Sequence, residues 1–340
     1  MHAPGLRIAG ATVLLFVAVG AGLANDDAKP AAATDPVARA REVMGIRAPG
    51  SLPFYLTVRL RIMNDAGDVT QGEYALNWAA PDRWKDQLGL PDYRQTRVNE
   101  TGKLWVLRDP QYSTWAAWNT RTLLKWFAPF TPNWTLENSE TNRHETERQG
   151  STSCQVVGSR YTKERLCFDN DHGYLTEASE SPINPSTSDE VTELGDYFAL
   201  GQHFLPKNIS VFRGRSLVAE AEVTDASLPT QLDPQVFVIP GGATQETRCE
   251  HPQPPRPSRR VEPKYTDRAR REKIQGDVVH LVHITDRGVV DNVILMKSLT
   301  PDLDQAAAQT IGAKWRFKPA ACGNEPIPFE VEIQTTFRLF

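Results

Sequence analysis

The chain has 340 residues, 40% of them hydrophobic and 24% charged, with a formal net charge of −4. That length gives room for two domains, each with its own core. The charge balance excludes the strongly basic footprint of a nucleic-acid binder, so no nucleic-acid partner is expected.

Residues 1–24 carry Arg7 in a short polar start, an apolar run from Ile8 to Leu23, and Gly22-Leu23-Ala24 before Asn25. This is the pattern of a secretory signal peptide. As a helix the run would span roughly 24 Å, short of the ~30 Å hydrocarbon core. Cleavage is the first expectation and an uncleaved inner-membrane anchor the alternative. An exported chain can keep disulfides.

Residues 25–34 read as a disordered leader, and Asp35-Pro36 as the start of a short helix reaching Gly45. From Phe54 onward the two-residue period dominates. Phe54, Leu56, Val58, Leu60 and Ile62 alternate with polar or aromatic neighbours, and Tyr74, Leu76 and Trp78 repeat the spacing. "RQTRVNETGKLWVL" predicts a hairpin turning at Asn99–Gly102. "TRTLLKWFAPF" is the best later helix. Further strands are predicted near 153–159, 164–168, 173–179, 192–198, 205–213 and 216–224. The fold class is therefore α+β, with residues 35–249 an antiparallel sheet with few helices.

The four cysteines allow three pairings. Cys154 and Cys167 flank a predicted hairpin and could meet across it, which leaves Cys249 with Cys322; four buried free thiols are the alternative. In the loop-entropy account the two bridges contribute roughly 3 and 4–5 kcal/mol. Residues 250–262, "EHPQPPRPSRRVE", hold four prolines and no apolar period. They predict a stiff, extended linker reaching roughly 40 Å.

After the linker the pattern changes. A short helix over 266–273 closes at Gly276, and "DVVHLVHI", "TDRG" and "VVDNVILMK" make a strand, a turn and a strand. Thr300-Pro301-Asp302 starts a helix. Residues 328–339 form a last strand with Phe329, Val331, Ile333, Thr335, Phe337 and Leu339 on one face. The order of residues 263–340 is αββαβ, a small open sheet with its helices on one side.

Several stretches here, in order, resemble the TonB C-terminal domain family: Pro263-Lys264-Tyr265 with Ala269, Gly276-Asp277-Val278-Val279, Asp286-Arg287-Gly288-Val289-Val290, Leu303-Asp304-Gln305-Ala306-Ala307, and Trp315-Arg316-Phe317-Lys318-Pro319-Ala320. Thr266 departs from the pattern, where the family continues with proline. The resemblance implies a non-enzymatic energy transducer that grips a peptide of an outer-membrane receptor by adding it as a strand, and inner-membrane motor partners if the chain is anchored. The docking edge it implies is the terminal strand: Phe329, Glu330, Val331, Glu332, Ile333, Gln334, Thr335, Thr336 and Phe337. An open strand edge offers unpaired backbone groups for that purpose. The alternative is pairing within its own sheet or in a homodimer. A bridge from Cys249 to Cys322 would tie the linker to the turn before this strand.

The N-terminal domain resembles, through "GEYALNWAAPDRWKDQL", "VNETGKLWVL" and "LDPQVFVIPGGA", the LolA/LolB-like half-barrel of periplasmic lipoprotein carriers. This implies an apolar cavity for a lipid ligand. Seven tryptophans fall between Trp78 and Trp134, and Trp78, Trp84 and Trp105 are candidates to line it; an ordinary aromatic core is the alternative.

Other chemistry has no residues to carry it. G-x-S-x-G, H-E-x-x-H, phosphate-binding glycine loops and C-x-x-C are absent, so neither enzyme activity nor a cofactor is expected. His280 and His283 lie three apart on a strand, hence on opposite faces, and form no metal pair. Asp169-Asn170-Asp171-His172-Gly173 reads as a hairpin turn rather than a calcium loop, although Glu180 stands twelfth. Arg259, Arg260, Lys264, Arg268, Arg270 and Arg271 form a basic cluster suited to an acidic receptor surface, peptidoglycan or anionic headgroups, or else a solvated helix face.

Overall fold

A computed structural model describes residues 35–64, 67–127, 143–149, 151–158, 162–182, 189–247, 249 and 252–339. The expectations for residues 1–34, the linker positions 250 and 251, and Trp134 lie outside the described residues.

The chain begins with helix α1 (Pro36–Met44) and then builds strands: β1 (Phe54–Met63), β2 (Val69–Ala80), β3 (Arg83–Leu90), β4 (Tyr93–Glu100) and β5 (Lys103–Asp109). Helix α2 (Trp115–Leu124) follows, extended by a 3-10 turn over Lys125–Phe127. Next come β6 (Arg143–Gln149), β7 (Thr152–Gly158), β8 (Thr162–Asp169), β9 (Leu175–Pro182) and β10 (Glu190–Gly195), the small pair β11 (Phe198–Leu200) and β12 (His203–Leu205), then β13 (Asn208–Arg213), β14 (Ser216–Ser227) and β15 (Thr244–Glu246). Thirteen of these strands form one open antiparallel sheet in the order β15-β5-β4-β3-β2-β1-β14-β13-β10-β9-β8-β7-β6.

The alternation in β1 explains its place at the centre. Phe54, Leu56, Val58, Leu60 and Ile62 are fully buried, each contributing about 1.5–3 kcal/mol of burial. On the other row, Arg59 and Arg61 pair across to Glu222 and Glu220 of β14. The β4–β5 turn needs two residues in the left-handed region, and Thr101 and Gly102 take φ of 54° and 78°. A second core forms where Val37, Ala40 and Met44 of α1 meet Leu166, Phe168, Leu175, Ala178 and Leu194.

Helix α2 starts five residues before the predicted "TRTLLKWFAPF". Thr114 caps it, its hydroxyl accepting from the Ala117 amide at 3.3 Å. Ala116, Ala117 and Leu123, with Phe127, pack into the core of β1–β3 and β13–β14.

The C-terminal part contains β16 (Arg256–Arg259), α3 (Asp267–Arg271), β17 (Gly276–Ile284), β18 (Val290–Lys297), α4 (Pro301–Lys314), β19 (Arg316–Lys318), β20 (Ala320–Cys322), β21 (Glu325–Ile327) and β22 (Phe329–Phe337). Its main sheet has the order β18-β17-β22. Val282, Ile284, Val290, Ile311, Trp315, Phe317 and Ile333 make one core; Ala269, Val278, Leu303, Ala307 and Phe337 make another beside it. Gly288, at φ +75°, allows the β17–β18 turn to touch β19: a Cβ there would sit 1.9 Å from the Phe317 carbonyl oxygen.

The stretch expected to be a stiff, extended linker is stitched to this part. Gln253 exchanges two backbone hydrogen bonds with Ala321, at 2.8 and 3.0 Å, and β16 pairs with β19. The Trp315 indole donates to the Val261 carbonyl at 2.8 Å. Pro257 is tolerated because β16 is a short edge strand, where a missing N–H costs no central ladder bond.

Candidate functional site

The terminal strand has one side to spare. β22 pairs with β17 in an unbroken one-to-one register from Gly276↔Phe337 to Ile284↔Phe329. Among the described residues no other backbone pairs with it. The opposite edge of the same sheet is less regular. Leu295 and Lys297 face consecutive residues of β17, and so do Val290 and Asn292, leaving Met296 and Asp291 as extra residues in β18. Such bulges blunt an edge against pairing, whereas a straight nine-residue strand remains a template.

The two faces of β22 differ. Ile333, Thr335 and Phe337 are buried against the domain's own core, while Phe329 and Val331, at the start of the same row, stay half-buried. The other row carries Glu330, Glu332, Gln334 and Thr336. This face is met by α2 and the residues before it. Glu330 Oε1 accepts from the Ser113 amide at 3.1 Å, and Oε2 accepts from the Ser113 hydroxyl at 2.8 Å and Arg121 Nη2 at 2.6 Å. The Trp118 indole donates to Glu332 at 2.7 Å, and the Arg121 guanidinium lies 4.4 Å above the Trp118 ring. At the same end of the sheet, the Tyr112 hydroxyl donates to Asp291 at 3.1 Å and its ring packs on His283, whose Nδ1 is 2.6 Å from Asp291. Leu281, the direct partner of Glu332, is only 1% exposed yet belongs to neither core cluster.

The Glu330 side chain is 11% exposed. Burial alone would raise its carboxyl, but Arg121 and the two Ser113 donors outweigh this and hold it below the usual carboxylate range. Glu332 is exposed, and among the described residues no cation pairs with it.

His280 and His283 are on opposite faces. His280 is 1% exposed inside the core, where burial pushes its imidazole down against the opposing pull of Asp304. Its Nδ1 has no hydrogen-bond partner. Asp169 closes the 169–173 turn by accepting from the Asp171 and His172 amides at 3.1 and 2.7 Å. No group of three metal-ligating side chains occurs among the described residues.

The basic residues lie on β16, on α3 and in the segment between them. Arg268 pairs with Asp302 at 2.5 Å, and that partner, with Thr266, holds the Asp302 carboxyl well below its ordinary value. Arg260 pairs with Glu262 and covers the Trp315 ring. Arg259 is exposed on β16, Arg270 and Arg271 are exposed on α3, and Lys264 borders an open groove beside Ala306, Gly312 and Ala313.

Trp78, Trp84 and Trp105 do not line one cavity. Trp78 is 2% exposed and stacks on Phe54; Trp84 is its cross-strand partner and packs on the same core. Trp84 faces Asn99, which faces Leu104, so the alternation puts Trp105 on the opposite face. The face that holds Trp78 also carries a buried polar group: Asp86 accepts from the Tyr74 hydroxyl and from Arg97.

Both expected bridges are present. Cys154 and Cys167 are direct cross-strand partners in β7 and β8, and Cys249 joins Cys322 with a Cα separation of 5.7 Å.

Residues 261–339 match the family described as Gram-negative bacterial TonB protein C-terminal. No curated protein matches the chain. Similar solved structures include a LolA superfamily protein from Nitrosomonas europaea (12% identity, 61% of this chain and 98% of that one, TM-score 0.38). A putative outer membrane lipoprotein-sorting protein domain from Vibrio parahaemolyticus is comparable (13% identity, 59% and 95%, TM-score 0.37). The Pseudomonas aeruginosa MucA/MucB complex aligns over 86% of this chain and 94% of that one, at 13% identity and TM-score 0.28.

Proposed function

We propose that this is an exported, periplasmic TonB-like protein whose β22 edge captures a peptide segment of an outer-membrane receptor by strand addition, in energy-coupled transport across that membrane. The observation that carries the reading is the regular strand paired on one side only. A peptide that adds there gains main-chain hydrogen bonds in register, and alternate side chains set specificity. Two disulfides suit an oxidising compartment, and no described helix is long and apolar enough to cross a membrane. In a pull-down with receptor N-terminal peptides, Ile333→Pro is expected to lose capture while keeping a cooperative melting transition. Hydrogen exchange on the wild-type protein supplies the second reading: peptide should slow exchange across 329–337. Full capture by folded Ile333→Pro, or no added protection in the wild type, refutes the proposal.

A second reading concerns the N-terminal sheet. Leu123 and Phe127 fill its core face as a short helix and turn laid over strands, a position an apolar ligand could occupy if the helix lifted. Uptake of a fluorescent fatty acid would support a carrier or sensor of lipid; a protein that stays empty, also by native mass spectrometry after purification from membranes, argues against it.

A further inference from the structure

The two acidic side chains on the α2-facing row of β22 are not equivalent. Glu330 is consumed within the molecule by Ser113 and Arg121. Among the described residues Glu332 accepts only from the neutral Trp118 indole; it is exposed and stands beside the free edge. A residue directly opposite Glu332 on an added strand would share its face, with side chains close enough for charge to matter. On the other row, Phe329 and Val331 are half-buried apolar side chains at the same edge, which an added strand would cover.

From this geometry, and resting on the strand-addition reading above, we infer that the β22 edge selects an extended segment bearing lysine or arginine opposite Glu332, with apolar residues flanking it in the alternate positions. The N-terminal domain takes part in the selection. Arg121 neutralises Glu330 and so leaves a single acidic position, and the Trp118 indole fixes the Glu332 carboxylate. A cation there gains a charge pair, while an acid meets like charge. A cross-strand charge pair changes affinity by about two- to five-fold, so exchanging Lys for Glu should change it on the order of ten-fold. The contact is exposed and must weaken as salt rises.

The test uses the full chain and two labelled extended peptides that share an apolar row and differ only by Lys or Glu at the central opposing position. Fluorescence anisotropy is expected to show the Lys peptide bound about ten-fold tighter. Glu332→Gln, which keeps an acceptor for Trp118, should remove the preference, and Glu332→Lys should reverse it. Equal binding of both peptides overturns the inference and leaves strand addition standing; Glu332 is then only a charged guard against edge-to-edge aggregation. A preference that persists in Glu332→Gln also overturns it, tracing the effect to the overall charge of −4. Binding of neither peptide overturns both the inference and the strand-addition reading.

Discussion

Removing the Glu330 carboxylate should loosen α2 from the C-terminal sheet without unfolding either part. In Glu330→Ala three charge-assisted contacts disappear, two from Ser113 and one from Arg121. A hydrogen bond to a charged group is worth about 1.5–3 kcal/mol where the donor is left dry. The Arg121 side chain is 49% exposed and regains water, so its share falls toward the 0–1 kcal/mol of a surface pair. The Ser113 amide and hydroxyl, on a buried residue, carry the larger loss. Counted as one buried site, Ser113 contributes about 1.5–3 kcal/mol and Arg121 up to about 1, a sum of about 2–4 kcal/mol, or roughly 30- to 1,000-fold in the docking equilibrium. Hydrogen exchange should therefore quicken in peptides covering 112–121 and 277–283, while α4 and the β1–β2 core keep their protection. The pH dependence has a definite sign. The folded carboxyl titrates below its unfolded value of about 4.3, so its contribution is complete above that pH and is lost as pH falls through the folded pKa. Glu330→Ala should lack this acid-induced loosening. Unchanged exchange at 112–121 in a folded variant would refute the reasoning.

His280 is buried with its pKa pushed down from 6.5, so its stabilising contribution is present above that value and lost as the pH falls toward the lower folded pKa. His280→Leu should flatten the melting temperature of the C-terminal part across that window; an undiminished slope would point to another group. Replacing Cys249 and Cys322 by serine should cost about 4 kcal/mol in the loop-entropy account, read as a lower denaturation midpoint; a midpoint equal to the wild type would show that the Gln253–Ala321 and β16–β19 pairing suffices alone.

Much of the architecture was legible because alternation is a local property. The inward row of β1 and the split rows of β22 follow from spacing alone, as does the opposite placement of His280 and His283. The cysteines were legible because Cys154 and Cys167 face each other across one hairpin. The start of α2 was missed: the Thr114 cap stands before tryptophans and alanines, with no acidic first turn to announce a helix. The partners of residues 252–262 were beyond the sequence, because proline density signals extension without saying whether the extended chain has a neighbour. The grip of α2 and of Ser113 before it on β22 was beyond the sequence, since the partners lie 209 to 217 positions apart. Trp105 was grouped with Trp78 and Trp84 by proximity in sequence, but one step along a strand reverses the direction of a side chain.

The Cys249–Cys322 bond also defines a load path. It closes a covalent ring around α3, β17, β18 and α4, and β22 hangs outside that ring, beginning seven residues after Cys322. Tension applied along β22 therefore passes through the sulfur atoms straight to the segment leading back to the large sheet. The helices and strands inside the ring are spared traction. With the bond reduced, the same tension would have to run backwards through α4 and β17, peeling apart the scaffold that keeps β22 straight.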